Sequence, residues 1–218
     1  CPALRTIAPF LSRHAARFLF QVSAKILLYF SRVKFRGLTE DDLMQPSLEN
    51  VREAARLHCL RRMKILDSAS DDAFDAITRA AARHFQTPIA LVSLVDEKRQ
   101  WFKSRVGLDV CETDREHSFC AHAVAMRDMF IVEDAQKDPR FQANPLVTGP
   151  PFIRFYAGAP INVNGYDLGT LCVIDTEPRT FSAVEQRELK RMAHLAKRQI
   201  KLKARMAGLE PVQALAPE

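Results

Sequence analysis

The chain has 218 residues, 47% hydrophobic and 27% charged, a composition that suits one or two folded domains and contains no repeat or low-complexity tract. Its net charge of +6 is uneven: residues 1–38 carry seven Lys/Arg and no acid, which leaves 25 basic against 26 acidic residues from Thr39 onward. The body is nearly neutral, so charge gives it no claim on nucleic acid, and five cysteines without a CxxC argue against a disulfide framework and for reduced thiols in the cytoplasm.

Residues 1–43 form a basic amphipathic segment. Polar side chains recur at helical spacing (His14, Arg17, Gln21, Lys25, Arg32, Arg36) on an otherwise apolar face. Its apolar run, Phe18–Phe30, is 13 residues and contains Lys25, short of the roughly 20 needed to span a bilayer. Four descriptions fit: a helix in contact with a membrane surface through residues 10–36, a targeting segment, an extra helix packed on the domain, or a stretch outside the native protein, whose start would then be Met44.

A helix is expected over Ser47–Lys64 with apolar residues on two sides, and a second over Asp71–Phe85, opened by Ser68-Ala69-Ser70-Asp71 as a capping box. Ile89–Val95 is apolar on both faces, as a central strand should be. Gln100–Val106 alternates, which predicts a hairpin strand with one solvated side. Gly107–Glu116 reads as loop, Ser118–Met126 as a short helix, Met129–Glu133 as a brief strand, and Lys137–Pro151 as loop with one helical turn near Pro139. Ile153–Val163 and Asp167–Asp175 form a hairpin about Asn164-Gly165. A last helix runs from Ser182 to Met206, and Met192, Leu195, Gln199, Leu202 and Met206 lie on it at the spacing of a two-helix seam. The same spacing serves packing on the domain's own sheet. Residues 207–218 are expected to be disordered.

Several of these stretches resemble bacterial GAF domains of the kind found upstream of histidine kinases and diguanylate cyclases. Among the matching motifs are Pro88-Ile89-Ala90-Leu91-Val92-Ser93-Leu94-Val95-Asp96, Arg99-Gln100-Trp101-Phe102, Ser118-Phe119-Cys120-Ala121-His122-Ala123, Asp138-Pro139-Arg140-Phe141, Arg154-Phe155-Tyr156-Ala157-Gly158-Ala159-Pro160 and Leu168-Gly169-Thr170-Leu171-Cys172-Val173-Ile174-Asp175, in order over about Glu49–Lys201. The resemblance implies an α+β, profilin-like domain over residues 47–206. It would have an antiparallel sheet of five or six strands, terminal helices on one face and a ligand cup on the other. It also implies binding rather than catalysis, with no cofactor or metal. The partners implied are an unknown small molecule, a second copy through the terminal helices, and an output kinase or cyclase in trans or missing from this chain.

Along Ile153–Val163, the residues Ile153, Phe155, Ala157, Ala159 and Ile161 share the face suited to the helix-packed core, which leaves Arg154, Tyr156 and Gly158 for the cup. Arg154 offers a fixed cation and Tyr156 a hydroxyl and a stacking face; an ion pair of Arg154 with Asp134 or Glu133 is the structural alternative. His122 could meet a ligand or serve as a hydrogen-bonded structural residue. Ser118 could cap its helix and leave amides for an anion. Asn144 and Arg140 fall on the expected roof, and Trp101 could line the cup or sit in the core. Two cysteine readings remain beside these. A bilin needs a Cys followed directly by His, and Ala121 intervenes between Cys120 and His122. A GAF-type methionine sulfoxide reductase would use Cys111 and Cys120. A dimerisation module with a filled cup is the third alternative.

Overall fold

A computed structural model describes residues 47–209. The readings of residues 1–43, membrane contact included, lie outside the described residues, as does the tail beyond Leu209. No described helix is long and apolar enough to cross a membrane.

The elements run α1 (Leu48–Arg62), α2 (Asp72–Phe85), β1 (Ile89–Val95), β2 (Arg99–Val106), β3 (Glu112–Asp114), a 3-10 turn (Arg115–His117), α3 (Phe119–Met126), β4 (Phe130–Val132), α4 (Pro145–Thr148), β5 (Phe155–Val163), β6 (Tyr166–Asp175) and α5 (Ala183–Met206). The strands form one sheet in the order β3-β2-β1-β6-β5-β4 with every neighbour antiparallel. The β5–β6 hairpin turns on Asn164 and Gly165 at φ 55° and 88°, the left-handed pair that a two-residue hairpin demands.

Each side chain of β1 is buried because the sheet is covered twice. Ala90, Val92 and Leu94 face α1, α2 and α5, together with Leu60, Phe74, Leu189 and Ile200. Ile89, Leu91 and Val95 face a second core of Phe119, Val124, Phe130, Phe141, Tyr156 and Cys172 under α3. Burying a side chain of this size contributes about 1.5–3 kcal/mol, so both layers hold the sheet.

Four expectations need correction. The α2 cap is Asp71, whose carboxylate accepts from Ala73 N at 3.0 Å, while the Ser68 hydroxyl donates to Ile65 O. Strand β2 has no solvated side up to Ser104. A bulge sets Ser104 opposite Val92 and Phe102 opposite Ser93, so Lys103 is the extra residue; its ammonium donates to Ser68 Oγ at 2.8 Å and lies 5.5 Å from the Phe74 ring centre. Ile153 belongs to the second core rather than the first. It precedes β5, and its amide donates to Leu146 O, so the strand alternation does not reach it. Finally, β3 and α4 form within stretches that read as loop.

Helix α5 starts at a capping box of Ser182 and Glu185. Met192 packs on the sheet, whereas Leu195, Leu202 and Met206 are exposed, so packing on the domain's own sheet accounts for only part of the expected seam. On α1, Glu53 accepts from Arg56 Nε at 2.7 Å and from Arg115 at 2.6 Å. Burial pushes the Glu53 carboxyl up, but the two guanidiniums outweigh it and bring the pKa from 4.5 to about 2. A depressed pKa contributes stability that is complete above the unfolded value and is lost as pH falls through the folded one. Glu53→Gln is therefore expected to flatten the acid limb of stability between pH 4.5 and about 2, read from urea midpoints.

Candidate functional site

The site is built on α3 and its surroundings. Ser118 caps α3, its oxygen accepting from Ala121 N at 3.0 Å, and its hydroxyl donates to the Gln100 side chain. That second bond ties the helix start to β2. Phe119, Cys120, Ala123 and Val124 then point into the second core. The outer side of α3 forms one wall of a groove of about 740 Å³, lined by Ser118, Ala121, His122 and Ala125, by Glu97 and Lys98 of the β1–β2 turn, and by Asp114, Arg115 and Glu116. A smaller groove of about 400 Å³ lies by Pro160 and Asn162 of β5, with Lys190 and His194 of α5 on its other side.

Inside α3 the space is occupied by aromatic rings. Phe141 stacks on Phe119 with centroids 4.0 Å apart, and Tyr156 lies 5.2 Å beyond Phe119. His122 bridges this stack to the surface, 5.4 Å from Phe130 and edge-on to Phe141 at 5.0 Å. Burial first, and then the Arg140 guanidinium, hold its pKa below the ordinary histidine value. It is therefore a neutral imidazole at neutral pH, able to donate at one nitrogen and accept at the other.

The structure distributes the candidate residues over several places. Ser118 and His122 line the groove. Arg140 sits against the same aromatic stack, 4.8 Å over Phe130, and is held by Asp138 through Nε at 2.9 Å. Asn144 caps α4 and donates to His117 O at 3.0 Å, which pins the roof to the 3-10 turn. Arg154 forms a two-pronged pair with Asp134 at 2.9 and 3.1 Å, so the ion-pair alternative describes it. Tyr156 is fully buried, and its hydroxyl has no hydrogen-bond partner. Trp101 lies in the helix-side core, on the opposite face of the sheet from α3, because it pairs with the inward-facing Leu94. The cup-lining expectation for Trp101 is thereby corrected.

Sequence reasoning missed the groove's charged walls, Glu97, Lys98, Arg115 and Glu116. Their only signal is a run of charge in turns, which a solvated loop also shows. Arg115 spans the gap from this wall to the first helix, donating to Glu53 on α1 and to Asp96 O at 3.1 Å. Among the described residues no cluster could hold a metal ion.

A single antiparallel sheet covered on both faces, with this motif order, has a match: the family model described as GAF domain fits residues 70–200. The chain belongs to the GAF domain family. It is 45% identical over 146 residues to a cyclic di-GMP phosphodiesterase of Pseudomonas aeruginosa, covering 66% of this chain and 24% of that protein. The chain thus spans about a quarter of that relative. Among solved structures, the GAF domain of an Acinetobacter phosphoenolpyruvate-protein phosphotransferase superposes with a TM-score of 0.54 at 22% identity, over 71% of this chain and 96% of that one. A free methionine-R-sulfoxide reductase from Neisseria meningitidis gives 0.52 at 16% identity, over 71% and 93%. At these identities the likeness is one of fold: an α+β GAF-like domain with a six-stranded antiparallel sheet.

Proposed function

We propose that this GAF domain is a non-catalytic sensor that binds a small polar molecule in the groove outside α3 and signals through α1 and α5 to an output module of a cyclic di-GMP signalling protein. The observation that carries the reading is Arg115, which forms part of the groove wall and at the same time grips Glu53 on α1. A ligand that draws Arg115 toward itself weakens its hold on that helix. Coupling of this kind requires different ligand affinity for the two helix arrangements. The cyclic di-GMP output is suggested by the Pseudomonas aeruginosa relative, and the groove offers both charges, Lys98 and Arg115 against Glu97, Asp114 and Glu116.

Native mass spectrometry of the purified protein, followed by a thermal-shift screen of charged metabolites, tests this reading. A bound species or a rise in Tm is expected, and it should be lost in Lys98→Ala and weakened in Arg115→Ala. No bound mass and no shift from any charged metabolite would leave the domain a dimerisation module. The reductase reading with Cys111 and Cys120 gains nothing from their placement, since Cys111 is exposed while Cys120 is buried and faces Cys172.

In the same reading the exposed Leu195, Leu202 and Met206 of α5 form the contact with a second copy. Leu202→Asp would bury a charge in that contact, a desolvation that apolar packing cannot repay. A shift from dimer to monomer by light scattering is the expected result; an unchanged mass would place any dimer elsewhere.

A further inference from the structure

The centre of the second core is not purely apolar. Cys120 of α3 and Cys172 of β6 are both buried, with their sulfurs 3.7 Å apart. Register places Thr170 directly across from Ser93, and Cys172 across from Gly158. The Tyr156 ring tip occupies the space above Gly158. Three hydroxyls of this patch, on Ser93, Thr170 and Tyr156, are fully buried and lack a hydrogen bond of ordinary geometry. Buried hydroxyls without partners are unusual and call for an explanation, and all three border the thiol pair.

We propose that Cys120 and Cys172 form a redox-active dithiol that reacts with a hydroperoxide to give a reversible disulfide, with the three hydroxyls serving the sulfur of Cys120. The Cys120 thiolate attacks one peroxide oxygen; the S–O bond forms as the O–O bond breaks, and the departing oxygen takes a proton and leaves as an alcohol or water. Cys172 sulfur then attacks the sulfenic sulfur, the S–S bond forms, and the hydroxyl leaves as water with the Cys172 thiol proton. Two thiols lose two electrons together, and the peroxide gains them. A thiol reductant reverses the change by exchange.

The surroundings divide these roles. Burial pushes the Cys120 thiol up, but the polar groups of Cys172, Thr170, Tyr156 and Ser93 around it outweigh burial and bring it below the ordinary thiol value. Burial, followed by its neighbour Cys120, raises Cys172 well above the usual thiol value, so Cys120 is the sulfur that ionises first. Tyr156 is held in its protonated form by burial and by the nearby sulfurs, so it remains a donor.

Access comes from α3. An eight-residue helix has little stability of its own, so it can open locally at less than the cost of global unfolding. Hydrogen peroxide is small and uncharged, as entry under such a helix requires. Closing the sulfurs from 3.7 Å to the roughly 2.05 Å of a disulfide draws α3 toward β6. Ser118 and His122 ride on that helix, so oxidation would reshape the groove wall.

The test is peptide mapping of the intact chain after treatment with hydrogen peroxide under native conditions, with free thiols blocked and no reductant. A Cys120–Cys172 linked peptide, two hydrogens lighter and restored by dithiothreitol, is expected. Cys172→Ala should stop at a sulfenic acid on Cys120 that a cyclic diketone traps, and Tyr156→Phe should slow linkage about tenfold, the loss of one hydrogen bond to a charged sulfur. Because the wild-type linkage is the primary reading, failure of a variant to fold does not blunt the test. Oxidation confined to exposed Cys111, a Cys111–Cys120 linkage, or a Cys120–Cys172 linkage seen only in denaturant would overturn the proposal.

Discussion

Replacing Gly169 by alanine is expected to destabilise the domain by about 3 kcal/mol or more, at the upper end of what overpacking does. Gly169 lies in β6 directly opposite Leu94 of β1, at the middle of the six-stranded sheet. A methyl group there would run into the carbonyl oxygen of Ser93 and come within 2.8 Å of Leu94 Cα. Those are backbone atoms of a central strand, bonded into the ladder on both sides, so they cannot yield without breaking it. Gly158→Ala makes the informative contrast, because its nearest neighbour is the tip of the Tyr156 side chain rather than backbone. A side chain can shift by a rotamer adjustment, and the loss there should be smaller. Urea midpoints of the two variants measure the difference. Equal losses, or a Gly169→Ala midpoint like that of the wild type, would mean that β1 and β6 are more loosely paired than their register implies.

What could be read from the sequence was what short-range chemistry decides. Ile89–Val95 is apolar on both alternating faces, so a doubly covered strand was the simplest solution, and all seven residues are buried. Asn164-Gly165 supplies two residues that tolerate positive φ, so the last hairpin was fixed locally. The α3 cap at Ser118 and the α5 start at Ser182 follow from hydroxyl side chains placed just before helical runs. What escaped depends on partners distant in sequence. The solvated side expected of β2 is missing because α2 covers the face that Trp101 and Lys103 share, and the bulge that brings Ser104 to that same face is a property of the β1–β2 pair. The site suffered most. Tyr156 was assigned to the correct face, yet whether that face is open depends on Phe119 and Phe141 arriving from other segments, and they fill it. Cys120 and Cys172 are 52 residues apart, and only the packing of α3 on β6 makes them neighbours.

Phe141→Ala follows from that filled face and separates its two roles. Phe141 is 1% exposed and comes from the segment between β4 and α4, so it is the ring that locks the roof onto α3. It stacks on Phe119, takes the edge of His122 and lies under Arg140 at 5.5 Å. Truncation of a buried phenylalanine costs about 3–5 kcal/mol, part of it transfer and part the cavity left behind. The cavity would be lined by Phe119, Phe130 and the His122 ring, an apolar space that stays dry and accepts a small aromatic molecule. Stability should therefore fall by that amount in a urea titration, and indole should restore part of the lost Tm in the variant while leaving the wild type unchanged. Binding in the outer groove should weaken as well, because Phe141 supports the helix that carries Ser118 and His122. If indole raised the Tm of the wild type too, the face beneath α3 would already hold room for a ligand, and the sensing site would move from the charged groove to the aromatic interior beside Tyr156.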